Sequence, residues 1–300
     1  MEYRYSIMQA SSMLRLLPLC LILQLSIFIL SVPEAAAGTV WAAAGSAAAV
    51  GTLVAKNHDG NNREHDELRL LTPEEGFTCL VLFSFAGEDL RNFVSGINEK
   101  GMVLIRTDVE TKARKQGAVK GDILDLRILT SFDSVDAVLR DRRLFSGSCP
   151  VIYLVADRTR VALTEIAAGG HFAVRESKDG FLYHTDHYRE AGFQRTMRHI
   201  SKSSVARLEK IGRLLEEAQG PCTMDDFITM SANTEGTPSG RIWRAGDSKG
   251  KSRTLSTWIV SLPKTAPPEV SIHFTDPENP KNRFVINMLL DEPFWTEGIK

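Results

Sequence analysis

The sequence predicts an α+β fold in which two antiparallel sheets are stacked and helices lie outside them. Three observations carry this. Segments with strand character come in runs, so the order is strands, helices, strands, helix, strands rather than a βαβ alternation. Short turn-forming connectors such as "NEKG" and "ADRT" join consecutive strand segments, as hairpins require. No repeat, low-complexity linker or composition shift follows residue 38, which makes 38–300 a single domain.

The elements follow in order. "GTVWAAAG" and "GTLVAKNHDG" read as two strands joined by small residues around "GSAAAVG". "FTCLVLFSF" is an apolar strand, and "NFVSGINEKGMVLIRTDV" is a hairpin turning at "NEKG". In "KGDILDLRILTSFDSVDAVLRDRR" apolar residues recur at helical spacing, with Ser131 and Ser134 marking a break, which predicts two consecutive helices. "PVIYLVADRTRVALTEIAAGGHFAVRES" and "DGFLYHTDHY" return to strands. "SVARLEKIGRLLEEA" is an amphipathic helix whose apolar positions are Val205, Leu208, Ile211, Leu214 and Leu215. "TLSTWIVSLPKTAPPEVSIHF" closes with two strands across a proline-rich turn.

Residues 1–37 differ from the rest. Arg4 and Arg15 precede the apolar run "LLPLCLILQLSIFILSV", which ends in Pro33-Glu34 and the small residues Ala35-Ala36-Ala37. Basic start, apolar core and A-x-A site are the parts of a secretory signal peptide, so the mature protein is expected to be exported after signal peptidase acts. The other reading of the run is a retained membrane anchor. Beyond it stand three cysteines, Cys79, Cys149 and Cys222, an odd number at wide spacing that allows one disulfide at most. His58, His184 and His187 match no metal-ligand spacing, so neither metal nor cofactor is expected. A net charge of −1 with no basic cluster excludes a nucleic-acid-binding role. The pattern leaves open whether the chain forms oligomers.

The strings "LVAKNHD", "GINEKGM", "SVDAVL", "ADRTRVALTEIA", "LYHTDHY" and "SRTLSTWIV", in this order behind an export signal, resemble the choloylglycine hydrolase and acyl-CoA:6-aminopenicillanate acyltransferase relatives. These form the linear-amide group of the N-terminal-nucleophile hydrolases. The resemblance spans roughly residues 38–275. It implies a four-layer αββα fold and hydrolysis, or acyl transfer, at the linear amide bond of a small acyl-amide substrate.

In such a site, cleavage makes a Cys, Ser or Thr the first residue; its side chain attacks the carbonyl and its own α-amine takes the proton. By this resemblance Asp59 of "KNHD" orients the nucleophile and its amine, and Asn57 holds the turn. Lys56 stands where relatives often carry arginine. Asp186 of "HTDHY" falls where relatives carry an oxyanion-hole asparagine, although an ionised carboxylate has no hydrogen to donate. Arg253 of "SRTLSTW" matches an arginine that organises the nucleophile's surroundings. A further oxyanion donor is implied around Arg106-Thr107-Asp108.

The nucleophile is the departure. Where relatives place cysteine, this chain has Gly38. Cleavage after Ala37 leaves a glycine that cannot attack, and thus an inactive relative that binds an acyl-amide ligand or a partner. Cleavage after Gly38 leaves Thr39, whose hydroxyl and free amine suffice, though the strand is then one residue out of register with the relatives.

Overall fold

The computed structural model describes residues 37–61, 63–87, 90–109, 111–112, 121–146, 148–246, 252–275 and 282–298. The expected signal peptide lies outside the described residues except for Ala37. Along the chain run β1 (Ala37–Ala44), β2 (Thr52–Gly60), β3 (Glu64–Leu71), β4 (Cys79–Ala86), β5 (Leu90–Asn98) and β6 (Val103–Asp108). Then come α1 (Gly121–Ser131), α2 (Val135–Arg140), β7 (Val151–Ala156), β8 (Val161–Ile166), β9 (Phe172–Ser177) and β10 (Gly180–His184). Last are α3 (Ala191–Gln194), α4 (Lys202–Glu216), α5 (Met224–Ser231), β11 (Arg253–Leu262), β12 (Glu269–Thr275), β13 (Arg283–Leu289) and α6 (Glu292–Glu297).

The strands form two sheets in the order β10-β1-β2-β11-β12-β13 and β3-β4-β5-β6-β7-β8-β9. Every recorded pairing within them is antiparallel. Side chains alternate between faces along each strand, and this alternation builds three apolar layers. Val40, Ala42, Val54, Trp258 and Val260 of the first sheet meet Leu80, Leu82, Ile105, Leu154 and Leu163 of the second. The second sheet's other face, with Val81, Phe83 and Leu104, packs on Ile128, Leu129, Val135 and Val138 of α1 and α2. The first sheet's other face, with Trp41, Ala43, Leu53 and Ala55, packs on Ile211 and Leu215 of α4 and Phe227 and Met230 of α5. The result is the expected layering: helices, sheet, sheet, helices.

Central strands β2 and β11 are buried along their whole length because both faces are covered. Trp41 and Trp258 are fully buried, and each large aromatic contributes roughly 1.5–3 kcal/mol by leaving water. The expected break between the first helices is real: Ser134 caps α2, its hydroxyl accepting the Ala137 N–H. In the β5–β6 hairpin, Gly101 takes a φ of 83°, which L side chains resist.

Five elements go beyond the sequence reading: the short helices α3 and α6, and three more. β3, "EHDELRLL", is a charged edge strand whose residues are mostly half-buried, so its apolar alternation is weak. Helix α5 is short and rests on a capping box, Thr223 and Asp226 exchanging bonds with each other's backbone N–H. β13 lies at the other sheet's edge, with Phe284, Val285 and Leu289 exposed. The three cysteines are all free. Burial pushes the Cys79 thiol up to about 12, which keeps it protonated and inert.

Candidate active site

The first residues of β1 meet the end of β2 and the loop after β10. Ala37, Gly38 and Thr39 stand opposite Asp59, His58 and Asn57 in register. Alternation turns Thr39 and Asp59 to the face that carries Trp41, Ala43 and Ala55, under α4 and α5. Gly38 faces the other way, between the sheets.

On the helical face one guanidinium gathers the site. Arg207 of α4 donates from Nη1 to the Gly38 carbonyl at 2.6 Å and to Thr39 Oγ1 at 2.9 Å, and from Nη2 to Asp186 Oδ2 at 2.5 Å. Its Nη1 also lies 3.8 Å from Asp59 Oδ2. Asp59 accepts from Thr254 Oγ1 at 2.8 Å and from Arg244 Nη1 at 3.4 Å. Asp186 Oδ1 accepts the Gly38 N–H at 2.6 Å. Burial alone would lower the Arg207 pKa; the carboxylates of Asp186 and Asp59 outweigh it and hold the group above its ordinary value. It therefore stays a cation in an almost dry setting.

Helix α4 is fixed for this task. Ser201 caps it by accepting the Ser204 N–H. Ser204 Oγ in turn accepts the Asp186 N–H at 3.1 Å and meets His187 Nδ1 at 2.7 Å, tying the loop after β10 to the helix. Ser204 and Arg207, one turn apart, thus hold Asp186 by backbone and by side chain. Beneath the loop, Glu165 of β8 accepts His184 Nε2 at 2.9 Å and the Arg189 and Glu190 N–H groups.

Between the sheets the surroundings of Gly38 are different. Lys56 donates to the Arg106 carbonyl of β6. His58 Nδ1 lies 2.8 Å from Asp66 Oδ2, and Ser256 donates to the same carboxylate. Arg106 turns to α1 and bonds Asp125 at 2.9 Å, while buried Thr107 has a hydroxyl with no partner among the described residues. Burial lowers the Lys56 ammonium to about 8, against the raising pull of Asp108, Asp66 and Asp186.

Because that folded value lies below the unfolded one, between about 8 and 10.5 the unfolded chain binds a proton that the native chain does not. Stability contributed through Lys56 therefore rises across this window, by on the order of 3 kcal/mol. Denaturant melts at pH 7, 9 and 10 are expected to show that rise in the wild type, and a flatter profile in Lys56→Met.

Of the residues singled out by sequence, Thr39, Asp59 and Asp186 come together on Arg207. Asp186 serves as an acceptor, as its chemistry dictates, and not as an oxyanion donor. Among the described residues Arg253 makes no bond to the cluster: its backbone pairs with Gly60 at the start of β11, and its buried Nε has no partner. Among the described residues, the cations that touch Asp59 are Arg207 and Arg244. Sequence reading missed both, although Arg207 carried a signal. The buried residues of α4 are Ser204, Arg207, Ile211, Gly212 and Leu215, at helical spacing, while Val205, Leu208 and Leu214 are half-buried. A charged residue inside an apolar stripe marks a buried partner.

Comparison with known proteins finds no match among curated proteins. Among solved structures, two substituted forms of the conjugated bile acid hydrolase of Clostridium perfringens are similar. A form with arginine replaced by leucine has 12% identity and a TM-score of 0.49, covering 84% of this chain and 92% of that one. A form with cysteine replaced by alanine has 12% identity and a TM-score of 0.42, covering 83% and 92%. Residues 47–279 match the sequence profile described as "Acyl-coenzyme A:6-aminopenicillanic acid acyl-transferase". The matched span is most of the chain, and the protein belongs to the acyl-coenzyme A:6-aminopenicillanic acid acyl-transferase family.

Proposed function

We propose that this protein is an exported hydrolase or acyltransferase of linear amide bonds, with Thr39 as its N-terminal nucleophile after cleavage of the Gly38–Thr39 bond. The observation that carries the reading is the double contact of Arg207 Nη1, to the Thr39 hydroxyl and to the carbonyl immediately before it. Removing Gly38 frees that N–H bond, leaving a charged donor next to the nucleophile and free for a substrate carbonyl oxygen.

Thr39 Oγ attacks the carbonyl carbon of the amide, and its proton passes to the Thr39 α-amine. The negative charge that develops on the carbonyl oxygen is met by Arg207. As the C–N bond breaks, the α-ammonium gives its proton to the departing amine. The acyl ester on Thr39 is then released by water, or by an acceptor amine in the transferase direction, with the α-amine again taking the proton. Asp59, on the same face as Thr39 and opposite Ala37 in register, lies one step from the new amine and fixes it as an anion. Family membership supports the amide chemistry.

A second reading has the observation that Gly38 N–H already rests on Asp186 Oδ1. Cleavage after Ala37 would turn this nitrogen into an ammonium paired with a carboxylate, closing the site around a residue with no nucleophile. N-terminal sequencing of the protein secreted from the full-length chain separates the two. Thr39 at the terminus is the expected result; Gly38 there, with no later trimming, removes the enzymatic reading.

A further inference from the structure

We infer that the acyl group this site accepts is an unbranched α-amino-acyl group, glycyl in its simplest form, with its nitrogen donating to Asp186. The inference rests on Thr39 being the nucleophile. In the uncut chain Gly38 is itself an acyl group, joined through its carbonyl to the nitrogen of Thr39. A substrate's acyl group, brought to the same hydroxyl with the same guanidinium on its carbonyl oxygen, stands off the Thr39 nitrogen and lies beside the place that Gly38 fills. What surrounds Gly38 is therefore an approximate mould of the acyl site.

Two features of the mould are selective. The first is polar. Gly38 N donates to Asp186 Oδ1 at 2.6 Å, while Oδ2 of the same carboxylate is taken by Arg207 at 2.5 Å. An ionised carboxylate only accepts, so when Gly38 departs one oxygen is left facing the acyl site without its donor. A substrate with N–H in the same place restores the bond. An alkanoyl group of equal size offers that oxygen no donor of its own, a loss of about 10-fold in rate of capture.

The second feature is steric. A Cβ built on Gly38 would stand 2.6 Å from the Asn57 carbonyl oxygen and 3.3 Å from Lys56 Cε. The first of these is main chain in β2, a strand buried between two neighbours; it cannot move aside as a flexible side chain would. An L side chain on the carbon next to the reacting carbonyl is brought against this main chain.

The test is a series of coumarin amides on the processed protein made from the full-length chain: glycyl, N-acetylglycyl, propionyl and L-alanyl. The expected kcat/KM for glycyl or N-acetylglycyl exceeds those for propionyl and L-alanyl by at least about tenfold. Preference for the free amine over the acetylated one, or the reverse, decides whether an ammonium or an amide nitrogen is the natural donor. In Asp186→Asn the single carbonyl oxygen is claimed by Arg207 and the amide turns a donor to the substrate nitrogen, so the glycyl-to-propionyl ratio is expected to fall to about one. A general loss of activity would not move that ratio. Equal or faster cleavage of propionyl and longer alkanoyl amides by the wild type overturns the inference and leaves the amide chemistry standing. No turnover of any amide by protein that begins at Thr39 overturns the chemistry as well. A ratio unchanged in Asp186→Asn overturns the role given to Asp186.

Discussion

Thr39→Ala is expected to lower turnover of an accepted amide by at least about 1000-fold, with the fold intact. Removing a covalent nucleophile takes away the whole of its pathway rather than one contact, which is why such losses exceed those of any single hydrogen bond. The substitution also deletes one of several bonds to Arg207, but the Asp186 and Asp59 contacts, which stay after Gly38 has left, do not depend on it. Because Thr39 is fully buried, a thermal melt must accompany the assay; a shift of a few degrees is expected from the lost hydroxyl bond. Thr39→Ser keeps hydroxyl and amine and is expected to retain measurable turnover. If Thr39→Ala hydrolyses the same substrate as fast as the wild type, the attacking group lies elsewhere.

Much of the architecture is legible in the sequence, and the reason is periodicity. Strand runs such as "FTCLVLFSF" and the helical spacing around Val135 and Val138 report burial directly, and the structure buries the apolar residues of both. β3 and β13 were not legible because edge strands are half in water, so their apolar signal is diluted by residues such as Glu64, Asp66 and Asn287. The candidate site divides in the same way. Asp59, Asp186 and Thr39 stand out by motif, and their meeting is fixed by pairing in register and by a loop tied to Ser204. Arg207 is some 170 residues from Thr39 in the chain and belongs to no local motif. Its place is set by how α4 lies on the sheet, which spacing alone does not encode. The parity of β1 is also a tertiary fact: strand pairing, not composition, decides that Thr39 and Asp59 share a face while Gly38 turns inward.

Arg207→Met should be the most damaging single change to the fold of this region. The methionine matches the length of the stem but carries no charge, so Asp59 and Asp186 lose their shared cation. Asp59 is almost entirely buried and, among the described residues, keeps Thr254 and Arg244. Breaking a buried ion pair by removing one partner typically costs about 3–5 kcal/mol, because the charge left behind has no water to replace its partner. Denaturant unfolding is expected to show a loss of this size. Adding Asp59→Asn to the variant should recover part of it, since the double change removes the stranded charge, and the two substitutions then fail to add. Activity should fall too, by about 100- to 1000-fold where folded protein can be assayed, as expected for losing a charged oxyanion donor. Arg207→Lys separates the effects: a point charge can still serve the carboxylates in part, but it lacks the planar fork that reaches Thr39 and Asp186 together and keeps a donor for the substrate carbonyl. Stability close to wild type with activity sharply reduced is the expected outcome for that variant. Wild-type stability in Arg207→Met would mean that the guanidinium does not hold the end of β1, and the cluster would lose its organising cation.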